Sequence, residues 1–220
     1  MPLLRGLRVR LYSDFEPMVS IVLPTFNRSN YLKRAIISVL GQESIMWELI
    51  IVDDGSNDNT FQLVLEYQKE YENIRYLRHS NRKPPLTINA GIQASIGKYV
   101  TFLGSDDEYK PDHLKLRVEI LENDATIDLL HGGVEIIGDP YVKDKNDLSK
   151  KIHISKCTVG ATLFGKREVF LQLGGFKNLL YSDDSEFYER AKQRYSCREV
   201  DSTTYIYYRD TPDSICSTIK

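Results

Sequence analysis

Residues 48–60 read ELIIVDDGSNDNT. Leu49, Ile50, Ile51 and Val52 form an unbroken apolar run of strand length, and Asp53 and Asp54 close it. A strand with one wet face alternates apolar and polar residues. A continuous apolar run instead implies a strand covered on both faces, as in a parallel sheet flanked by helices. Gly55, Ser56, Asn57 and Asp58 supply turn chemistry. The stretch from Thr60 to Tyr71 then predicts a helix.

The same alternation extends outward on both sides. Upstream, residues 19–24 (VSIVLP) predict a buried strand. Ser29 or Asn30 can cap a helix that places Leu32, Ala35, Ile36, Val39 and Leu40 on one face. Downstream, Ile74 to Leu77 predicts a third strand, Leu86 to Ile96 a helix closed by Gly97, and Lys98 to Leu103 a fourth strand. Pro111 fits the first turn of a helix reaching Glu122. The fold class is α/β, with a Rossmann-like, mostly parallel central sheet flanked by helices. In such sheets ligands bind outside the carboxyl ends of the strands. Asp53-Asp54 closes the second strand and Asp106-Asp107 follows the fourth, so both pairs face one crevice.

Beyond residue 124 the pattern changes. A strand is expected within Ile127 to Ile137, and residues 138–156 read as a mobile polar loop. A helix near Arg167 to Leu173 leads to Gly174-Gly175-Phe176. Another helix runs from about Asp184 to Arg194, with Glu186 and Arg190 as an i,i+4 pair. The Tyr-rich run Thr203 to Arg209 predicts an edge strand. Residues 1–16 form an extension, and 17–124 and 125–220 are two halves of one domain.

The chain has 220 residues, 41% hydrophobic and 27% charged, with 29 basic and 31 acidic side chains. That balance describes a globular protein and excludes a disordered tail. A formal charge of -2 gives no basic footprint for nucleic acid. Cys157, Cys197 and Cys216 form no CxxC pair and imply a reducing compartment. No apolar run approaches the roughly 20 residues that span a bilayer, so a cytoplasmic protein is expected. Arg5, Arg8 and Arg10 interrupt an apolar leader, which is either an ordered extension or a contact with an anionic membrane surface. P-loop, GxGxxG and GxSxG motifs are absent.

The acids cluster, and each cluster has two readings. Asp106-Asp107 on a loop after a strand suits a hard cation such as Mg²⁺ or Mn²⁺, or a turn with a capping Asp. Asp53-Asp54 suits hydrogen bonds to a base or ribose, or an Asp-Gly turn. Asp183-Asp184 precedes a helix, as a cap or as a general base. His79, His113, His131 and His153 show no metal-ligand spacing.

The ordered set of blocks is more specific than any one of them. Residues 19–28 (VSIVLPTFNR), 50–60 (IIVDDGSNDNT), Asn89 to Gly91, and 97–103 (GKYVTFL) with Ser105 to Asp107 are four of them. Gly174 to Phe176, followed by Asp183-Asp184, is the fifth. Together they resemble family 2 glycosyltransferases from about residue 17 to residue 210. The resemblance implies a GT-A fold and inverting transfer of a sugar from a nucleotide diphosphate sugar, UDP-sugar by default. The acceptor is a hydroxyl on a glycan or lipid-linked molecule, with synthesis at the inner membrane face. Residues 17–124 become the donor half and 125–220 the acceptor half.

Carried over by position, the resemblance implies that Pro24, Thr25 and Asn27 line the nucleotide pocket and gives the acids the following roles. Asp54 contacts the base with Asp53 beside it. Asp106 lies near the ribose, Asp107 holds Mn²⁺ or Mg²⁺, and Asp184 is the catalytic base. The chain departs from the family pattern at Gly104-Ser105, at Ile88 where many members carry Arg, and at the missing C-terminal His. Arg82 and Lys83 are substitutes for that Arg. These departures motivate an alternative, a nucleotide-binding homologue without transfer that serves as an interaction module. A sugar-nucleotide pyrophosphorylase is a third reading, without its Gly-rich activation loop.

Overall fold

The computed structural model describes residues 15–211. The N-terminal leader with its arginines and the last nine residues, which include Cys216, lie outside them. The first half follows the sequence closely. Strands β1 (Val19–Thr25), β2 (Trp47–Asp53), β3 (Ile74–Arg78) and β4 (Tyr99–Phe102) alternate with helices α1 (Ser29–Leu40), α2 (Thr60–Glu70) and α3 (Pro84–Ala94). All seven residues of β2 are buried, as its apolar run required. Three shorter pieces join from the second half: β6 (Leu129–His131), β10 (Phe164–Lys166) and β11 (Cys197–Glu199). Here β5 (Glu108–Tyr109), β7 (Val134–Ile137), β8 (Tyr141–Asp144) and β9 (Asp147–His153) fall between them in chain order. The central sheet has seven strands in the order β11-β6-β10-β4-β1-β2-β3. Only β10 runs antiparallel. The chain steps from β1 to β3 on one side, then returns to place β4 on the other side of β1. That reversal opens a crevice at the carboxyl ends of β1 and β4.

Apolar side chains pack on both faces of this sheet. One cluster joins Ile21, Leu23, Leu32, Ile36, Leu49 and Ile51 beneath α1 and α2. The other joins Val22, Ile50, Val52, Ile92, Phe102, Phe170 and Phe187 beneath α3, α5 (Arg167–Gln172) and α6 (Asp183–Lys192). Gly91 sets the distance between α3 and the sheet. A Cβ there would meet Val22 Cγ1 at 2.3 Å. Gly91→Ala is therefore expected to cost about 1–3 kcal/mol by overpacking, read as a lower urea midpoint with unchanged slope.

Several boundaries differ from the sequence reading, each for a physical reason. The first helix is capped from a distance: Asp58 accepts from the Ser29 N–H at 2.9 Å and also from the Thr60 N–H at 3.1 Å, so one carboxylate starts α1 and α2. Gly97 is no helix cap. α3 ends at Ala94, and Gly97 instead lets the chain pass Ser20, whose N would lie 2.7 Å from an added Cβ. α4 begins at His113 and ends at Asn123, so Pro111 lies two residues before it. The single strand expected within Ile127 to Ile137 is two, β6 and β7, broken by Gly132 and Gly133 at φ 89° and 71°. The expected mobile loop, residues 138–156, contains the two-stranded hairpin β8-β9. Tyr181 ties it down by donating to the Lys143 carbonyl at 2.7 Å. Finally, β12 (Tyr205–Tyr208) is not an edge strand. It lies between β5 and β7 in a three-stranded sheet.

Candidate active site

Strand β1 delivers Pro24 and Thr25 to the crevice, with Thr25 in register with Asp53. The buried Thr25 hydroxyl has no hydrogen-bond partner among the described residues. A buried hydroxyl without a partner is costly unless a ligand or water completes it. Asn27 follows at φ 52°, and its side-chain oxygen accepts from the Asn57 N–H at 2.8 Å. This joins the loop after β1 to the loop after β2.

The first acid pair splits into two tasks. Asp53 accepts from the Ser56 N–H at 2.8 Å and from the Tyr76 hydroxyl. Asp54 accepts from the backbone N–H groups of Arg82 at 2.7 Å and Lys83 at 3.0 Å. Asp53 thus fixes the turn after β2 against β3, and Asp54 fixes the loop before α3. The Arg82 and Lys83 side chains are exposed.

The second pair sits in the turn after β4. Asp107 is only 3% exposed. It accepts from the Tyr205 hydroxyl at 2.5 Å and the Tyr208 N–H at 2.9 Å. Burial, reinforced by the neighbouring Asp106 charge, pushes its carboxyl up to about 7. The Asp106 side chain accepts no hydrogen bond from a described residue, while its carbonyl accepts from Arg34. Arg34 also pairs with Glu108 at 3.1 Å and lies 3.7 Å over the Tyr208 ring. Gly104 leaves room for this carboxylate, since a Cβ would meet Asp107 Oδ2 at 2.4 Å. Two carboxylates with free lone pairs fit a hard divalent ion. No group of three His, Cys, Asp or Glu suited to a metal exists among the described residues. Such an ion would therefore keep substrate phosphate and water as further ligands.

The third pair opens α6. Asp184 accepts from the Gly160 N–H at 3.0 Å and the Ser185 N–H at 2.7 Å. Burial raises its pKa, and the two N–H groups oppose that rise. Asp183 beside it is pushed up to about 7 by burial and then by the Asp184 charge. An acid raised from 3.8 binds more protons folded than unfolded near neutrality, so stability falls as pH rises from about 4 through about 7. Asp183→Asn should remove that loss, seen as a smaller drop in Tm between pH 4.5 and 7.5 than in the wild type. Asn89 of α3 links the segment before α6 to the first half of the chain. Its amide donates to the Phe176 carbonyl and its oxygen accepts from the Phe176 N–H, each at 2.8 Å. The expected Glu186–Arg190 pair forms, at 2.8 Å.

The sequence did not flag Arg34, Gly160, Tyr205 or Tyr208 as site residues. Their partners lie up to 101 residues away, and no local spacing marks them.

The chain as a whole is similar to known proteins. Residues 20–174 match the family model Glycosyl transferase family 2, and the chain belongs to that family. An uncharacterized glycosyltransferase of Rickettsia prowazekii (strain Madrid E) is 31% identical over 188 residues, 79% of this chain and 58% of that protein. A putative teichuronic acid biosynthesis glycosyltransferase, TuaG, of Bacillus subtilis (strain 168) is 36% identical over half of this chain and 44% of its own length. Among solved structures, S. aureus TarS 1-349 in complex with UDP-GlcNAc superposes with a TM-score of 0.77 at 21% identity, covering 92% of this chain and 61% of that one. The mannosyltransferase PcManGT from Pyrobaculum calidifontis in complex with GDP-Man and Mn2+ gives 0.70 at 20% identity, covering 96% of this chain and 65% of that one. The fold is thus the GT-A glycosyltransferase fold. The match covers 58% of the Rickettsia protein, 44% of TuaG and 61% of the TarS chain, so the chain spans only part of the length of these relatives. No helix among the described residues is long and apolar enough to cross a membrane.

Proposed function

We propose that the chain moves a sugar from a nucleotide diphosphate sugar, UDP-sugar by default, to a hydroxyl acceptor, with inversion by direct displacement. The carrying observation is the pair of preformed carboxylate stations, Asp106-Asp107 after β4 and Asp183-Asp184 at the start of α6, in a family 2 chain. Asp184 takes the proton of the attacking hydroxyl, and the Gly160 and Ser185 N–H groups hold its carboxylate in place. Its raised pKa brings it nearer the working pH, where a general base is most effective.

Asp107, with Asp106 nearer the ribose, would hold Mn²⁺ or Mg²⁺, and such an ion would neutralise charge on the diphosphate leaving group. Pro24, Thr25 and Asn27 line the nucleotide pocket, and the unpartnered Thr25 hydroxyl completes a bond to the donor. Asp54 meets the base through lone pairs left free by the Arg82 and Lys83 N–H groups. Asp53 fixes the wall beside it, and the Arg82 side chain reaches the diphosphate. Residues 17–124 form the donor half and 125–220 the acceptor half. A glycan or lipid-linked acceptor is supported by a relative of Campylobacter jejuni named as a β-1,3-glucosyltransferase acting on an undecaprenol-linked glycan. An acceptor of that kind places the enzyme at the inner membrane face. Retention of both carboxylate stations favours transfer over an inactive interaction module.

A panel of UDP-, GDP- and dTDP-sugars with and without Mn²⁺ tests this reading by thermal shift. A ligand at 100 times its Kd adds about 2.7 kcal/mol, which at about 2–4 °C per kcal/mol raises Tm by roughly 5–10 °C. No shift with any nucleotide sugar would overturn the donor assignment.

A further inference from the structure

We infer that Tyr205 is a positioning residue for the metal-binding carboxylate Asp107, anchored by the buried cluster Arg117–His113–Thr204. The inference rests on the metal role proposed for Asp107.

The geometry starts from an unusual burial. Arg117 is fully buried and makes no salt bridge with a carboxylate among the described residues. Burying a cation is costly unless its donors are satisfied. Its Nη1 donates to Thr204 Oγ1 and its Nη2 to the Gly132 carbonyl at 2.9 Å, while its Nε has no partner among the described residues. His113, also fully buried, shares a hydrogen bond with the same Thr204 hydroxyl at 3.0 Å. Burial and the Arg117 charge hold its imidazole neutral. Tyr109 stacks on His113 at 3.8 Å and meets the Tyr205 ring edge-on at 5.7 Å. Two side chains of α4 therefore fix the residue before Tyr205, and two rings fix Tyr205 itself.

Tyr205 transmits this order to the site. Its oxygen accepts from the Gly104 N–H at 3.0 Å and donates to Asp107 Oδ2 at 2.5 Å. Three residues on, the Tyr208 N–H holds the other Asp107 oxygen at 2.9 Å. Strand β12 thus grips both oxygens of one carboxylate, leaving their remaining lone pairs for a cation. Groups that orient a metal ligand are typically worth 10–100-fold in metal affinity.

Tyr205→Phe keeps the ring packing and deletes only the oxygen. Mn²⁺ binding in the presence of UDP, followed by the electron paramagnetic resonance of the free ion, should weaken about 10–100-fold. In steady-state assays the change should fall on the Mn²⁺ requirement and much less on kcat. Gly104→Ala is an independent variant, because its methyl would lie 2.4 Å from Asp107 Oδ2 and displace the carboxylate. It should weaken Mn²⁺ in the same direction. A lower Tm with unchanged Mn²⁺ affinity in both variants would make Tyr205 merely structural and overturn the inference. Asp107→Asn separates the two proposals. If it abolishes Mn²⁺ binding while the other two variants leave it intact, only the Tyr205 inference falls. If Asp107→Asn leaves Mn²⁺ binding intact, the metal assignment fails and the Tyr205 inference fails with it.

Discussion

Asp184→Asn is expected to lower sugar transfer by about 10²–10⁴-fold, the range a positioned general base contributes, and to leave donor binding nearly unchanged. The acceptor hydroxyl must lose its proton as it attacks, and a carboxamide cannot take one. The substitution is close to isosteric but not silent. Asp184 accepts from two backbone N–H groups, Gly160 and Ser185, and Asn offers only one acceptor oxygen. One N–H is left unsatisfied, at a cost of about 1–3 kcal/mol. Activity must therefore be compared below the Tm of the variant. Calorimetry with the donor gives the second readout. Transfer lost with donor affinity kept identifies a group acting on the acceptor side. Full transfer would remove Asp184 from the mechanism. Loss of both would mean that the turn at Gly160 and the start of α6 support the donor pocket as well.

The physics of burial explains how far the sequence could be read. β1 and β2 are covered on both faces, so their apolar runs are continuous and stand out from the flanking turns. The second half lacks that signal. β6, β10 and β11 have three residues each, too few to show a period, and each pairs with a segment distant in sequence. The β8-β9 hairpin is exposed along most of β9, so no apolar alternation marks it, and its lysines and aspartates imitate a loop. The acid pairs were legible because each follows a strand or opens a helix. What each carboxylate does was less legible. Asp53 and Asp54 are neighbours, yet one accepts from a side-chain hydroxyl of β3 and the other from the loop before α3. Tyr205 acts on Asp107 across 98 residues. A tyrosine in a Tyr-rich strand carries no mark of that role until the chain is folded.

Removing the carboxylate at position 107 is expected to have the second large effect. Asp107→Ala should abolish Mn²⁺-dependent donor binding in calorimetry, with a loss of more than about 100-fold, equivalent to roughly 2.7 kcal/mol. The donor diphosphate and the acid pair are both anionic, so without a cation they repel each other. Wild-type protein treated with EDTA should therefore match the variant, and added Mn²⁺ should restore only the wild type. The alanine also strands the Tyr205 hydroxyl and the Tyr208 N–H, both of which end on Asp107. Stability should fall by about 1–3 kcal/mol for a buried group left unpaired, so a Tm measurement accompanies the titration. Asp106→Ala provides the contrast. Its side chain accepts nothing from the described fold, so its loss should leave Tm nearly unchanged while weakening the donor. Equal Mn²⁺-dependent binding in Asp107→Ala and wild type would refute the metal role. The Asp107 hydrogen bonds would then serve only to join β12 to the turn after β4.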